Sequence, residues 1–297
     1  MDGHDGWWCT GPVWREGRPG IGWWVPGGDE RTGAVTRGRP LAFLVHGPRR
    51  CLGVWRAGRR TPCPEAAEVP ARTARAQCPS CARIDRSFSV AADTHADDPR
   101  PYRVYLAWFG PGLLKVGITG EARGAARLLE QGAVTWTWLG RGPLMAGRRT
   151  EETLRAALGI PDRIGYGRKR AARWALPPAG ERAAEVAALH ARALALPGRP
   201  ESLEPLPCEV VDHADAFGLT GAPAPDRVLT HAPDGLLVAG TPVGVAGPDL
   251  HLAEGLVVDL RLLAGLRVSA PPPGPRPAAP GPEPTAALRT DRQEGLF

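Results

Sequence analysis

Four cysteines between residues 51 and 81 are the residues of this sequence best suited to hold a metal ion. They are Cys51, Cys63, Cys78 and Cys81. The last two form Cys-Pro-Ser-Cys, a CxxC turn that points two thiolates at one ion, and two further thiolates complete a closed tetrahedral site. The sequence therefore predicts a structural zinc ion bound by these four side chains.

The upstream half of this cysteine set leaves alternatives open. Cys51 and Cys63 stand far apart, where a zinc ribbon would have a second CxxC. Cys63 lies in Thr-Pro-Cys-Pro, a rigid turn that can present its sulfur, and His46 is a further candidate ligand. A redox CxxC or plain buried thiols are the alternatives. The charged stretch after Cys81 disfavours the redox reading, which requires a strand-to-helix context.

The stretch from Arg103 to Leu158 carries the clearest periodic pattern in the chain. Two short apolar runs flank Gly-Pro-Gly, which predicts a β-hairpin. An Ala/Leu/Arg-rich segment ending at Gly132 predicts a helix, and the alternation from Val134 to Leu139 predicts a strand. Residues 144–158 predict a second helix. The predicted order is β-β-α-β-α, an α+β fold.

This order resembles the GIY-YIG nuclease superfamily, with Val104-Tyr105 on the first strand and Lys115-Val116-Gly117 on the second. The resemblance implies that a strand tyrosine activates or positions water and that a helix arginine holds the phosphate. It also implies that a glutamate on a later helix binds one divalent metal, Mg²⁺ or Mn²⁺. Carried over residue by residue, these roles fall on Tyr105, on Arg123 or Arg127, and on Glu151, with Glu152 as second choice.

Two motif positions depart from the superfamily pattern. Arg103 stands where the first glycine is expected, and Lys115 stands where the second-motif tyrosine is expected. Lys115 is nevertheless a candidate catalytic residue. A tyrosine hydroxyl is a weak acid, so a lysine or a metal ion beside Tyr105 would favour its phenolate.

Each candidate catalytic residue also has a structural interpretation. Tyr105 would be a core aromatic residue of its strand. Arg123 and Arg127 are four residues apart and would belong to a solvated, ion-paired helix face. Glu151 would be an exposed helix carboxylate paired with a neighbouring arginine.

Basic residues are concentrated in two segments, although the whole chain carries a net charge of +6. Residues 45–86 hold nine arginines against three acidic residues, and residues 140–175 hold nine basic against three acidic residues. Such segments are typical of proteins that bind nucleic acid. Alternatively, the basic residues keep the surface soluble and form surface ion pairs. The predicted nucleic-acid-binding residues are Arg148, Arg149, Arg168, Lys169, Arg170 and Arg173, the last four in a basic loop.

The tryptophans admit two interpretations. All ten lie at or before Trp174. We favour the interpretation that they pack in the core, because large aromatic side chains contribute much of the buried apolar surface of small β-rich domains. Stacking on bases is the alternative.

Composition divides the chain into six consecutive segments. They are a Trp/Gly-rich β segment (1–44), a β-rich, zinc-ribbon-like module with four cysteines and an acidic linker (45–98), the GIY-YIG-like domain with its basic loop (99–175), a connecting helix and linker (176–205), a small β-rich domain (206–270) and a disordered Pro/Ala-rich tail (271–297). The whole chain also resembles an uncharacterised bacterial family of unknown function. Its members combine a Cys-rich module, a segment like KVGIT…R…EQGA and a β-rich C-terminal part.

No run reaches the roughly 18 apolar residues of a membrane span, and the first residues lack the pattern of a secretion signal. These features predict a cytoplasmic protein without membrane association. The combined prediction is a zinc-containing nucleic-acid-binding protein, with metal-dependent endonuclease activity implied by the resemblance. The alternative is a non-catalytic adaptor for nucleic acid or protein on a degenerate nuclease fold.

Overall fold

The computed structural model describes residues 7–25, 28–56, 58–71, 73, 75–87, 98–271 and 283–284. Over these residues the fold is mixed α+β, with six helices and four sheets. The chain divides into two compact units. The first combines Met1–Ser89 with Ala222–Phe297, and the second is Val90–Gly221.

In the first unit, strands from distant parts of the chain share one sheet. Its strands in spatial order are β13 (Leu237–Gly240), β4 (Leu41–His46), β17 (Arg267–Ser269), β1 (Trp7–Arg15), β2 (Arg18–Trp24) and β3 (Arg31–Ala34). Strand β17 lies between β1 and β4, with Trp7 opposite Val268 and Val268 opposite Val45. All of these pairings are antiparallel.

The rest of the first unit is a second sheet, a hairpin and a helix. The second sheet has the order β14 (Pro242–Ala246), β15 (Asp249–Leu252), β16 (Leu256–Asp259), β12 (Arg227–Leu229) and β18 (Glu283–Pro284). The hairpin consists of β5 (Val54–Arg56) and β6 (Arg59–Thr61), and helix α1 (Pro79–Ser87) follows it.

This grouping differs from the six consecutive segments that composition suggests. Residues 1–44 and most of 206–270 belong to one unit, because β17 pairs with strands from the start of the chain. Residues 206–221 belong to the second unit instead. Most of the acidic linker and nearly all of the tail lie outside the described residues, where those predictions stay predictions.

The second unit is built around an antiparallel sheet. Its spatial order is β10 (Glu204–Pro205), β9 (Thr135–Gly142), β7 (Tyr102–Trp108) and β8 (Leu114–Gly120), and β11 (Val211–Asp212) also pairs with β9. Its helices are α2 (Ala126–Gln131), α3 (Leu144–Leu158), α4 (Tyr166–Ala172), α5 (Ala179–Ala195) and α6 (Ala214–Phe217). None of the helices that the structure describes has the length and apolar character needed to cross a bilayer.

The predicted order β-β-α-β-α is confirmed between residues 102 and 158. The first predicted helix is shorter than expected. Residues Glu121–Arg123 form a 3₁₀ turn, and the α-helix begins only at Ala126. Gly124 separates the two with a φ of +51°, which the α-helix does not accommodate.

Helices cover both faces of the central strand β7. On one face, Val104 and Leu106 pack in a cluster with Leu154 of α3. On the other face, Tyr105 packs in a cluster with Leu128 of α2. The sequence of a strand that is buried on both faces is nearly continuously apolar, and the sequence of β7 has this character. A polar side chain on this sheet is therefore withdrawn from water and needs partners from the protein.

Arg49 is a buried arginine that ties separate loops of the first unit together. Its Nε donates to the Ala264 carbonyl at 2.7 Å, and its Nη1 donates to the Pro70 and Thr73 carbonyls at 3.0 Å each. Its Nη2 donates to the Arg261 carbonyl at 3.2 Å. Burial lowers the pKa of Arg49 from its ordinary value. These carbonyls lie in irregular segments, so the guanidinium replaces the partners that a strand would supply.

We expect Arg49→Met to lower the free energy of unfolding by about 3 kcal/mol, because it leaves several buried carbonyls without donors. Urea unfolding followed by circular dichroism measures this change. Arg50→Met is the matched control, since half-exposed Arg50 pairs with Glu68 at 3.6 Å and donates to one carbonyl only, that of Ala66. Its loss should therefore cost about 1 kcal/mol. Equal losses in the two variants would contradict the structural role of Arg49.

Candidate functional site

The four predicted metal-binding cysteines come together in the first unit. Cys51, Cys63, Cys78 and Cys81 are all buried, and their sulfur atoms all lie within 4.8 Å of one another. The sulfurs of Cys63 and Cys78 are 3.9 Å apart. Four thiolates at about 2.3 Å from a tetrahedral zinc ion stand about 3.8 Å apart, so the cluster is compatible with structural zinc. His46 is not part of this group, and its Nε2 lies 2.8 Å from Ser269 Oγ.

A hairpin takes the place of the missing second CxxC. Strands β5 and β6 lie between Cys51 and Cys63 and bring the two residues together. Gly53 permits the close approach, because a Cβ there would lie 1.9 Å from the Thr61 carbonyl oxygen and its φ is +75°. The second pair sits at the start of α1, with Pro79 as the first helical residue, a position that proline favours.

Backbone N–H groups surround the sulfur atoms. Those of Gly53 and Cys78 donate to Cys51 Sγ at 3.4 and 3.2 Å. Burial opposes ionisation of Cys63, but hydrogen bonds from backbone N–H groups outweigh it and lower the pKa of Cys63 to about 7. Burial raises the pKa of Cys51 and of Cys81. Backbone donors to ligand atoms are the usual support of a metal site.

A second cluster of polar side chains lies within the sheet of the second unit. Gln131 Nε2 donates to the Tyr105 hydroxyl oxygen at 2.7 Å, and Lys115 Nζ donates to Gln131 Oε1 at 3.0 Å. Lys115 Nζ also lies 3.4 Å from the Tyr105 oxygen. All three side chains are buried, and Tyr105 is only 1% exposed. The phenol oxygen therefore accepts two N–H donors in a site withdrawn from water.

The strands around Tyr105 are shaped to place its ring. Tyr105 lies opposite Gly117 on β8, where a Cβ would stand 2.2 Å from the tyrosine oxygen. Only glycine leaves room for the ring there. A β-bulge at Val104/Tyr105 sets Tyr105 opposite Trp138 of β9, with ring centroids 6.5 Å apart. Such bulges re-aim side chains and are frequent beside active sites.

Glu151 on α3 is a half-buried carboxyl group. Desolvation raises the pKa of Glu151 to about 7, and the charge of Lys115 is the strongest influence opposing it. The charge of Asp162 raises this pKa further. Lys115 thus acts on both Tyr105 and Glu151. The second-choice residue, Glu152, is exposed and accepts from Arg155 at 2.7 Å.

The helix arginines predicted to hold phosphate lie on the surface. Arg123 donates to the Glu130 carboxylate at 2.7 Å, and Arg127 lies 3.5 Å from the same carboxylate. In the described part of the chain, neither makes a hydrogen bond to Tyr105 or Glu151. The structure therefore brings Tyr105 and Lys115 together and couples Lys115 to Glu151 by charge, but leaves the two arginines outside this cluster.

The basic residues predicted to lie in a loop belong to helix α4 or directly follow it. Lys169, Arg170 and Arg173 are buried, which corrects the expectation that they face nucleic acid. Lys169 Nζ lies 3.8 Å from the centroid of the Phe109 ring. Positions 169, 170 and 173 share one helical face, which is turned inward, whereas Arg168 is exposed.

The two remaining basic candidates lie on α3. Arg149 is exposed and Arg148 is half-buried. The charge of Arg148 lowers the pKa of Glu151, although more weakly than Lys115 does.

Sequence reasoning missed Gln131. It is the last residue of α2, followed by Gly132 in the left-handed conformation. No spacing motif marks a glutamine as the partner of a lysine 16 residues earlier. The available signal was its position at the end of the predicted helix, just before Gly132.

We expect Glu151→Gln to gain stability relative to the wild type as the pH rises from 5 to 8. Because the pKa of Glu151 in the folded protein is about 7, the folded chain holds this proton more tightly than the unfolded chain. The stability that the carboxyl contributes is complete below its ordinary pKa and is lost as the pH rises through about 7. Melting temperatures at pH 5, 7 and 8 measure the trend, with exposed Glu152→Gln as control. A difference between Glu151→Gln and wild type that is independent of pH would contradict it.

The match to one family model covers both units. This model, described as "Protein of unknown function (DUF2797)", matches residues 38–268. No curated protein and no solved structure matches the chain. The matched span contains the four cysteines as well as the cluster around Tyr105. The expected likeness to a family of unknown function is thereby confirmed, and the chain belongs to the DUF2797 family.

Proposed function

We propose that this chain is a zinc-containing protein that binds nucleic acid and hydrolyses phosphodiester bonds at a GIY-YIG-like site in its second unit. The observation that carries the proposal is the convergence of two N–H donors, from Gln131 and Lys115, on the Tyr105 oxygen. The β-β-α-β-α order and the pairing of Tyr105 with Gly117 agree with the superfamily resemblance.

The cluster contains the groups that water activation requires. The N–H groups of Gln131 and Lys115 fix the phenol oxygen of Tyr105, which can therefore orient the attacking water by a hydrogen bond. The water oxygen forms the new bond to phosphorus as the bond to the leaving oxygen breaks. The attacking water loses its proton to solvent, and the leaving oxygen takes up a proton from solvent. Glu151 is the residue that would hold Mg²⁺ or Mn²⁺. When bound, such an ion supplies Lewis-acid stabilisation of the developing charge.

Surface charge in the second unit supports a polyanionic substrate. Arg123 and Arg127 share the single carboxylate of Glu130, which leaves one positive charge in excess. Exposed Arg149 and Arg168 add further positive charge. Arginine side chains of this kind bind phosphate oxygens through charge-assisted hydrogen bonds.

In the first unit, the four cysteines would hold a structural zinc ion. The ion would link the β5–β6 hairpin to α1 in a stretch with little other regular structure. Four thiolate ligands fill the coordination sphere of zinc, so this site has a structural rather than a catalytic role.

A second candidate function is binding without hydrolysis. It is favoured by the burial of Tyr105 and by the engagement of Arg123 and Arg127 with Glu130. A closed cluster of this kind would stabilise the fold while the surface arginines bind nucleic acid or an acidic protein.

We expect the purified protein to cleave labelled DNA or RNA with added Mg²⁺ or Mn²⁺, and Glu151→Gln to lower the cleavage rate about 100-fold or more. Lys115→Met should act in the same direction. Glu152→Gln, on the same helix, should cleave like the wild type. Salt-sensitive binding without cleavage would support the adaptor function, whereas undiminished cleavage by Glu151→Gln would locate the activity elsewhere.

We also expect about one zinc ion per chain by elemental analysis, because the four sulfurs match a closed tetrahedral thiolate site. Cys63→Ser and Cys78→Ser should each lose most of the zinc and lower the melting temperature. Cys208→Ser is the control, since this cysteine is exposed and lies outside the group. A zinc content near zero in wild-type protein prepared without chelator would overturn the metal assignment.

A further inference from the structure

The six-stranded sheet of the first unit holds a pocket of about 250 Å³. Its walls are aromatic, with Trp7, Trp23 and Phe43 among the lining residues, and Arg31 supplies a positive charge. This pocket lies apart in the sequence from the cysteine group and from the cluster around Tyr105. No role has yet been assigned to it.

Side chains from separate strands form the pocket. Trp23 lies opposite Arg31 on β3, and Trp7 lies opposite Val268 on β17. The Trp23 and Phe43 rings meet edge to face with centroids 6.1 Å apart, although β2 and β4 are separated by two strands in the sheet. The two rings therefore extend across the intervening strands and enclose the space between them. Pockets lined by aromatic side chains with a few polar groups are typical ligand sites.

Gly33 fixes the position of one wall. A Cβ at this residue would lie 2.6 Å from the indole nitrogen of Trp23. The edge of the Trp23 ring therefore lies directly on the backbone of β3, which any larger residue would prevent. The Trp23 ring, which forms this wall, is thus held in place by the backbone of β3 and not by another flexible side chain.

Arg31 is the charged group of the pocket. Its guanidinium carbon lies 5.0 Å from the centroid of the Trp7 ring. Among the residues that the structure describes, Arg31 has no carboxylate partner, whereas Arg60 in the same unit pairs with Glu30 at 3.2 Å. Aromatic walls alone would also suit a cationic ligand, but a guanidinium at the same site repels one.

From this arrangement we propose that the pocket binds one unstacked nucleobase, with Arg31 contacting the phosphate attached to it. Bases stack on tryptophan rings without strong sequence preference, and guanidinium groups bind phosphate through paired N–H donors. A volume of about 250 Å³ is below the usual range for drug-sized ligands, which restricts the occupant to a single small ring system. The proposal is independent of hydrolysis in the second unit.

Calorimetric titration of the full chain, without added divalent cation, tests this proposal. We expect AMP and UMP to bind saturably, adenosine to bind about tenfold more weakly, and inorganic phosphate to bind without measurable saturation. Arg31→Met should reduce the affinity for AMP about tenfold, to the level of adenosine, and Trp7→Leu should abolish binding. Arg18→Met, an exposed arginine of β2 that does not line the pocket, should bind like the wild type.

Further arms of the experiment identify the source of the base. Tighter binding of a trinucleotide than of AMP would support single-stranded nucleic acid as the ligand, and equal binding would support a free nucleotide. The proposal is overturned if no nucleotide binds saturably, if inorganic phosphate binds as tightly as AMP, or if both pocket variants bind like the wild type while their circular dichroism shows a native fold. Because Glu151→Gln leaves this pocket intact, loss of cleavage in that variant with unchanged AMP binding separates the two proposals.

Discussion

Burial of the Lys115 ammonium on the edge strand β8 is the constraint on which the second unit depends. Both faces of the sheet are covered, so the ammonium must find its oxygen partners within the protein. It finds them in Gln131 and Tyr105, and its charge also favours ionisation of Glu151 against the desolvation of that carboxyl group. Gly117 is then required, because the ring of Tyr105 occupies the space of a side chain. The identities of these residues are linked, since changing any one leaves a buried polar group or charge without compensation.

In the first unit, side-chain contacts hold together segments that lack regular secondary structure. Among the residues that the structure describes between 49 and 81, regular structure consists of a hairpin of two short strands, one isolated bridge between Arg50 and Glu68, and the start of α1. Arg49 satisfies the carbonyls of Pro70 and Thr73, and the four cysteines hold the ends of the hairpin against α1. The proposed zinc ion would convert this contact between thiols into coordinate bonds and would thereby hold a segment with a small apolar core in one conformation.

Local patterns in the sequence were sufficient for some elements and not for others. Helix α3 was predicted to the residue, because Gly159 and Pro161 end its periodic segment. The four cysteines were predicted as one group from their residue type and from the CxxC spacing of Cys78 and Cys81, and the structure brings their sulfur atoms together. The shared sheet of the first unit was not, since the contact of Trp7 with Val268 joins residues at opposite ends of the chain and leaves no local signal. Charge counting likewise detects Lys169 but does not reveal that its helical face is turned inward.

The two buried cations, Arg49 and Lys115, differ in a way that bears on function. The acceptors of Arg49 are backbone carbonyls, which are present whatever the sequence is. Because buried carbonyls need hydrogen-bond donors, stability alone accounts for an arginine at this position. The partners of Lys115 are side chains, and replacing a buried polar cluster by apolar residues of similar shape is often neutral or stabilising. Glu151 beside it is held in a site that disfavours its charge at neutral pH. A structural role explains Arg49 fully, whereas the cluster around Lys115 has the composition that the proposed catalytic function would require, with a carboxyl group tuned near neutral pH.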